Sequence, residues 1–152
     1  MIFIGCDPGI SGAIAVIDET GEFLYVDDMP AMHEGKLAWV DIETVTSGLM
    51  DVLAGRPATA YVERAQPMPK QGVSSVFGYG VAFGSLLASI QMLRCRVELV
   101  TPAVWKKAQG LTSNKADSLS KARLLFPAAP LDRKKDHGRA EALLIADYGR
   151  RR

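Results

Sequence analysis

Three carboxylates stand where carboxylates are costly. Asp7 closes the apolar run Ile2-Phe3-Ile4-Gly5-Cys6, Glu63 closes Ala58-Thr59-Ala60-Tyr61-Val62, and Glu141 interrupts Ala140-Glu141-Ala142-Leu143-Leu144-Ile145-Ala146. A carboxylate leaving water needs compensation, and a divalent cation is a common compensator. Three such residues, far apart in sequence, point to one metal site assembled by the fold.

A fourth member follows from helical geometry. At 100° per residue, His137, Leu144, Ile145 and Tyr148 fall within roughly 60° of Glu141 on one helix face. Glu141 therefore points inward, with His137 one turn earlier beside it. Asp136 turns away and is better placed as the helix N-cap, and Arg139 lies opposite, toward solvent or phosphate. Asp, Glu, Glu and His are mainly oxygen donors, which suit Mg²⁺ or Mn²⁺ better than Zn²⁺. Two such ions can activate a water and stabilise the leaving oxygen in phosphodiester hydrolysis. A lysine would screen the developing charge, with Lys115 at a helix start as first candidate and Lys106 as second. Taken singly, Asp7-Pro8-Gly9 is an ordinary turn, Glu63 a strand-end glutamate and each lysine a surface charge.

The elements that must position these groups can be read along the chain. The 152 residues are 48% hydrophobic and 23% charged, the balance of an ordinary soluble domain, read as one unit over 1–152. The net charge of +1 excludes nothing about nucleic acid. Its distribution says more: Lys106-Lys107, Arg133-Lys134-Lys135 and Arg150-Arg151-Arg152 are basic clusters. With Lys70 and Arg139, Lys106, Lys107, Lys134 and Lys135 are the candidate DNA contacts. Cys6 and Cys95 read as buried free thiols of a reducing compartment. The N-terminus lacks a basic n-region, so no signal peptide is expected. The stretch from Gln71 to Leu93 carries no charge and is long enough to span a bilayer. Its glycines, serines and glutamines make a buried helix the better reading, and no membrane is expected. Gly80, Gly84 and Ala88 give that helix a smooth face open to the core or to a second copy.

Strands are expected at Met1–Asp7, Ala13–Asp18, Phe23–Val26, Thr59–Val62 and Val97–Val100. Helices are expected at Val40–Leu53, Val76–Leu93, from Pro102, at Lys115–Leu125 and from about His137 to Tyr148, with Ser113 or Asn114 as an N-cap and Gly149 as a C-cap. Asp27–Lys36 reads as loop. The order predicts an α/β fold, a mixed five-stranded sheet flanked by helices whose first three strands are antiparallel. That layout matches the ribonuclease H-like architecture.

Four strings carry a family resemblance: Gly5-Cys6-Asp7-Pro8-Gly9-Ile10-Ser11-Gly12-Ala13, Tyr61-Val62-Glu63, Phe77-Gly78-Tyr79-Gly80, and the run from Lys134 through Asp136-His137-Gly138-Arg139-Ala140-Glu141 to Ala146. Over nearly its whole length the chain resembles RuvC-type Holliday-junction resolvases, especially their phage and plastid branch. The resemblance implies a homodimer with two active sites that binds a four-way DNA junction and nicks a symmetric pair of strands. It implies metal ligands at Asp7, Glu63, His137 and Glu141, a catalytic lysine at Lys115, and a loop Pro67–Gly72 facing the junction centre. It also implies a cytoplasmic protein of a bacterial or phage-infected cell, associated with the nucleoid through DNA. Two departures matter. Bacterial members carry an aromatic wedge three residues after the second carboxylate, where this chain has Gln66, so wedging falls to Met68 or other loop side chains. Many bacterial members end with two acids three apart, where this chain has His and Glu four apart. Tyr79 and Phe77 could stack on a base, although burial in the long helix is the simpler expectation.

Three other readings compete. The same fold could process other branched DNA or structured RNA. An actin-like or kinase-like nucleotide-binding domain also opens with an Asp-x-Gly turn, but this chain is short for a second domain that closes over ATP. A non-catalytic DNA-binding module would not need all three carboxylates with His137.

Overall fold

The computed structural model describes residues 1–64, 66–67, 70–112 and 114–152, the side chain of Lys115 excepted. Three antiparallel strands open the chain: β1 (Ile2–Asp7), β2 (Ala13–Asp18) and β3 (Phe23–Asp28). A hairpin of β4 (Ala31–Glu34) and β5 (Leu37–Val40) leads into α1 (Ile42–Leu53). Then come β6 (Ala58–Glu63), α2 (Val73–Met92), β7 (Arg96–Val100), α3 (Pro102–Ala108), α4 (Lys115–Leu125) and α5 (His137–Arg150). The main sheet runs β3-β2-β1-β6-β7, with β6 parallel to both β1 and β7. This is the expected mixed five-stranded sheet, flanked by helices.

Strand alternation sorts side chains onto two cores. Ile2, Ile4, Cys6, Ile14, Val16, Ala60 and Val62 face α1, α2 and the hairpin. Ala13, Ala15, Ile17 and Tyr61 face α3, α4 and α5. The second face is lined by small residues because α5 comes very close. A Cβ on Gly5 would lie 1.9 Å from the Ala142 carbonyl oxygen and 2.5 Å from the Ala146 nitrogen. From Ala140 to Gly149 every residue of α5 is buried, since the helix is wedged between the sheet and α4.

Four expectations need correction. The segment read as a loop before residue 37 contains the hairpin, held by cross-strand pairing such as Met32 with Trp39 and packed on α2. The uncharged helix α2 is not buried all round. Ala82, Leu86, Ser89 and Ile90 form its buried stripe, while Val73, Phe77 and Met92 stand in solvent. Among the described residues α2 is the one helix long and apolar enough to cross a membrane, yet only 22% of its apolar window is covered by the rest of the chain. Its outer face avoids charge by using glycine and serine, so absence of charge misreports burial. Phe77 is 62% exposed, against the expectation of a buried ring. Gly149 does not cap α5, which runs one residue further to a cap at Arg151. Its place is dictated by Tyr61, whose ring would lie 2.2 Å from any Cβ there.

Candidate functional site

Parallel pairing of β1 with β6 brings two of the carboxylates together. Cys6 pairs with Val62, so Asp7 and Glu63 end neighbouring strands at the same edge of the sheet. After Asp7 the chain turns through Gly9 at φ +110°, a conformation that favours glycine, and the Gly12 N–H donates to the Gly9 carbonyl at 3.0 Å. The first turn of α5 seats on this loop through Gly138. A Cβ there would sit 3.0 Å from the Ser11 carbonyl oxygen, a tight contact that the bare glycine avoids. His137 and Glu141 thereby arrive beside Asp7. A pocket of about 470 Å³ has Asp7, Tyr79, Lys135, His137 and Glu141 in its walls. Glu63 lines an adjoining pocket, shared with Tyr79, Gln66 and Pro102.

The carboxylates are already engaged. The fully buried Trp105 donates its indole N–H to Glu63 Oε2 at 2.7 Å. Lys106 Nζ donates to Glu141 Oε1 at 2.9 Å, and Ser118 Oγ lies 3.5 Å from the same oxygen. Burial pushes the Glu63 carboxyl above the ordinary glutamate range; the indole hydrogen bond opposes that shift, and the nearby Glu141 charge adds to it. Burial, with Glu63 and Asp7 close by, pushes the Tyr79 hydroxyl up to about 12, so Tyr79 serves as a neutral donor at neutral pH. The four groups assigned from sequence thus share one end of the sheet. As they stand, no three acidic, histidine or cysteine side chains among the described residues form a ready metal cluster. The donor set nonetheless fits a hard divalent cation: three carboxylates, plus His137, whose Nδ1 is buried without a hydrogen-bond partner among the described residues.

Asp136 occupies the N-cap position of α5 but makes no capping bond. Its carboxylate accepts from the Arg133 backbone N–H at 2.7 Å and from Arg133 Nε at 2.6 Å, away from the pocket. Arg139 does not face solvent. Its side chain is 14% exposed and pairs with Asp28 at 2.7 Å and Asp27 at 3.2 Å, tying α5 to the end of β3. Of the candidate DNA contacts, Lys135 lines the pocket, Lys106 and Lys107 line a shallow groove with Thr112, and Lys70 and Lys134 are exposed. Lys115 begins α4, one turn before Ser118, with Asn114 capping the helix by accepting from the Ala116 N–H. The Lys115 side chain, Met68 and Ser113 lie outside the described residues. Sequence reasoning passed over Trp105. Its signal was present: a large aromatic with one N–H to satisfy, next to a lysine already under consideration.

The sheet order, with α5 laid across β1, is that of a ribonuclease H-like fold. The RuvC of Thermus thermophilus in complex with a Holliday junction substrate superposes with a TM-score of 0.67 at 22% identity, over 97% of this chain and 91% of that one. A second Thermus thermophilus RuvC structure gives a TM-score of 0.59 at 20% identity, over 97% and 92%. No protein-family model and no curated protein matches the sequence itself.

Proposed function

We propose that this chain is a structure-selective endonuclease that resolves four-way DNA junctions by paired, metal-dependent phosphodiester hydrolysis, as a homodimer related to the phage and plastid branch of RuvC-type resolvases. The observation that carries the reading is the convergence of Asp7, Glu63, His137 and Glu141 at one sheet edge, in a fold shared with a RuvC bound to a Holliday junction substrate. Asp7, Glu63, Glu141 and His137 would hold Mg²⁺ or Mn²⁺, two ions per site, which supply charge stabilisation and an activated water for in-line attack on a phosphodiester. The chain's own groups do the rest. The Tyr79 hydroxyl on one wall and Lys135 on another offer donors to phosphate oxygens. Lys115, at the start of α4, is the lysine assigned to screen developing charge in this reading. Lys70, Lys106, Lys107, Lys134 and Lys135 would track the phosphate backbone, so affinity should fall steeply with salt. Such a protein would work in the cytoplasm of a bacterial or phage-infected cell.

The test is a synthetic mobile four-way junction incubated with the protein and Mg²⁺, with a flap and a structured RNA alongside. Paired symmetric nicks in the junction are expected. Cleavage confined to RNA would sink the proposal. The bare face of α2 is the surface for a second copy: Phe77 and Val73 are exposed, and nothing described lies within 4 Å of a Cβ on Gly80 or Gly84. Phe77→Glu should turn a dimer into a monomer by light scattering. A dimer unchanged by that substitution would move the interface elsewhere.

A further inference from the structure

Adjacent residues of α3 hold two carboxylates that come from different elements. Trp105 takes one oxygen of Glu63 at the end of β6, and Lys106 takes one oxygen of Glu141 on α5. The two grips are physically unlike. The indole is fully buried, its only polar atom is the N–H given to Glu63, and it has no route to solvent. The ammonium sits on a flexible stem whose side chain is 24% exposed, so it can swing away into water. It also lies 5.1 Å from the centroid of the Trp105 ring, within cation–π range.

We propose that Trp105 and Lys106 form a two-part carboxylate clamp: the indole positions Glu63 permanently, and the Lys106 ammonium holds Glu141 as a placeholder that a divalent cation must displace. Both are positioning residues, and the inference rests on the metal-site reading above. Without a metal, Glu63 and Glu141 repel each other in a partly desolvated cleft, and Lys106 offsets that repulsion. A doubly charged ion competes for the same Glu141 oxygen and releases the lysine. Metal affinity is thereby set partly by the work of expelling one ammonium, a quantity that the α3 sequence can tune without touching a ligand.

The experiment measures Mn²⁺ binding to the full chain by the electron paramagnetic resonance of free Mn²⁺, in the wild type, Lys106→Met and Lys107→Met. Lys107 is the control because it removes the same charge one residue away without contacting Glu141. Lys106→Met should bind Mn²⁺ about tenfold tighter, the scale of one displaced ion pair, while Lys107→Met stays within about twofold. If Lys106→Met folds poorly, Lys106→Gln replaces it. The wild type supplies a second readout that needs no variant, the indole N–H resonance of Trp105 in a ¹⁵N-tryptophan-labelled sample titrated with Mg²⁺. It should remain protected from exchange throughout, and it should shift in step with Mg²⁺ saturation as the ammonium leaves the ring. Saturable Mn²⁺ binding that is no tighter in Lys106→Met overturns the clamp alone. So does a Trp105 resonance that ignores Mg²⁺ or loses protection. No saturable binding in the wild type overturns the metal site and the clamp together.

Discussion

If the proposed function holds, Asp7→Asn is expected to lower Mg²⁺-dependent junction cleavage by about a thousandfold or more in single-turnover rate, and to leave junction binding within about twofold. The magnitude follows from taking a charged oxygen donor out of the proposed metal site, whose chemistry would be charge stabilisation. The substitution is isosteric, and the turn after Asp7 is organised by backbone: Gly12 N–H to the Gly9 carbonyl, and Met29 N–H to the Gly12 carbonyl, both at 3.0 Å. A melting curve of the variant, run alongside, restricts the comparison to folded protein. Binding is expected to survive because, in the proposed reading, phosphate contacts from lysines outside the carboxylate cluster would supply most of the affinity. Cleavage of a labelled junction and a gel shift in Ca²⁺ separate the two effects. Unchanged cleavage would refute the proposed site.

Gly5→Ala is expected to be among the most damaging single methyl additions at the described glycines. A Cβ at Gly5 falls 1.9 Å from the Ala142 carbonyl oxygen and 2.5 Å from the Ala146 nitrogen. Both are backbone atoms of a helix buried between the sheet and α4, so no side chain can rotate to make room. The helix must shift off β1, and overpacking of this kind costs roughly 3 kcal/mol, the upper end of the usual range. For a domain of this size that lowers the melting temperature by about 6–12 °C. The same shift moves His137 and Glu141 relative to Asp7. The folded variant should therefore also bind Mn²⁺ more weakly, a loss that persists at temperatures well below its melt. Gly78→Ala is the matched control, since nothing described lies within 4 Å of a Cβ there. A Gly5→Ala protein that melts like the wild type would mean that α5 does not pack as described.

These two glycines show where sequence reading stops. Both sit in apolar surroundings, and nothing local separates the one pressed against a helix from the one facing open space. The same limit explains α2. Its uncharged sequence reads as buried, but burial depends on what packs against each face, and the fully buried stripe is the one through Ala82, Leu86, Ser89 and Ile90. The β4–β5 hairpin was hidden for a related reason. Met32, His33 and Glu34 show no apolar alternation, and the hairpin is held by pairing with Leu37–Val40 and by contact with α2. Arg139 reads as solvent-facing on an isolated helix, and it is claimed by Asp27 and Asp28, more than a hundred residues away in the chain.

The sequence by itself determined where the acids fall: Asp7 and Glu63 at the ends of apolar strands, and Glu141 one turn after His137 on a helix. An apolar run stopped by Asp7 or Glu63 is a local pattern, and so is the i, i+4 relation of His137 to Glu141, because strand and helix periods act over a few residues. Only the tertiary structure decided what those acids touch. Trp105 reaches Glu63 across 42 residues and Lys106 reaches Glu141 across 35, contacts that no local period encodes. They exist because β6 pairs parallel with β1 and α5 lies against β1 closely enough to exclude a methyl group. Hydrogen bonds and ion pairs act over a few ångströms, so their partners are chosen by packing and not by spacing along the chain.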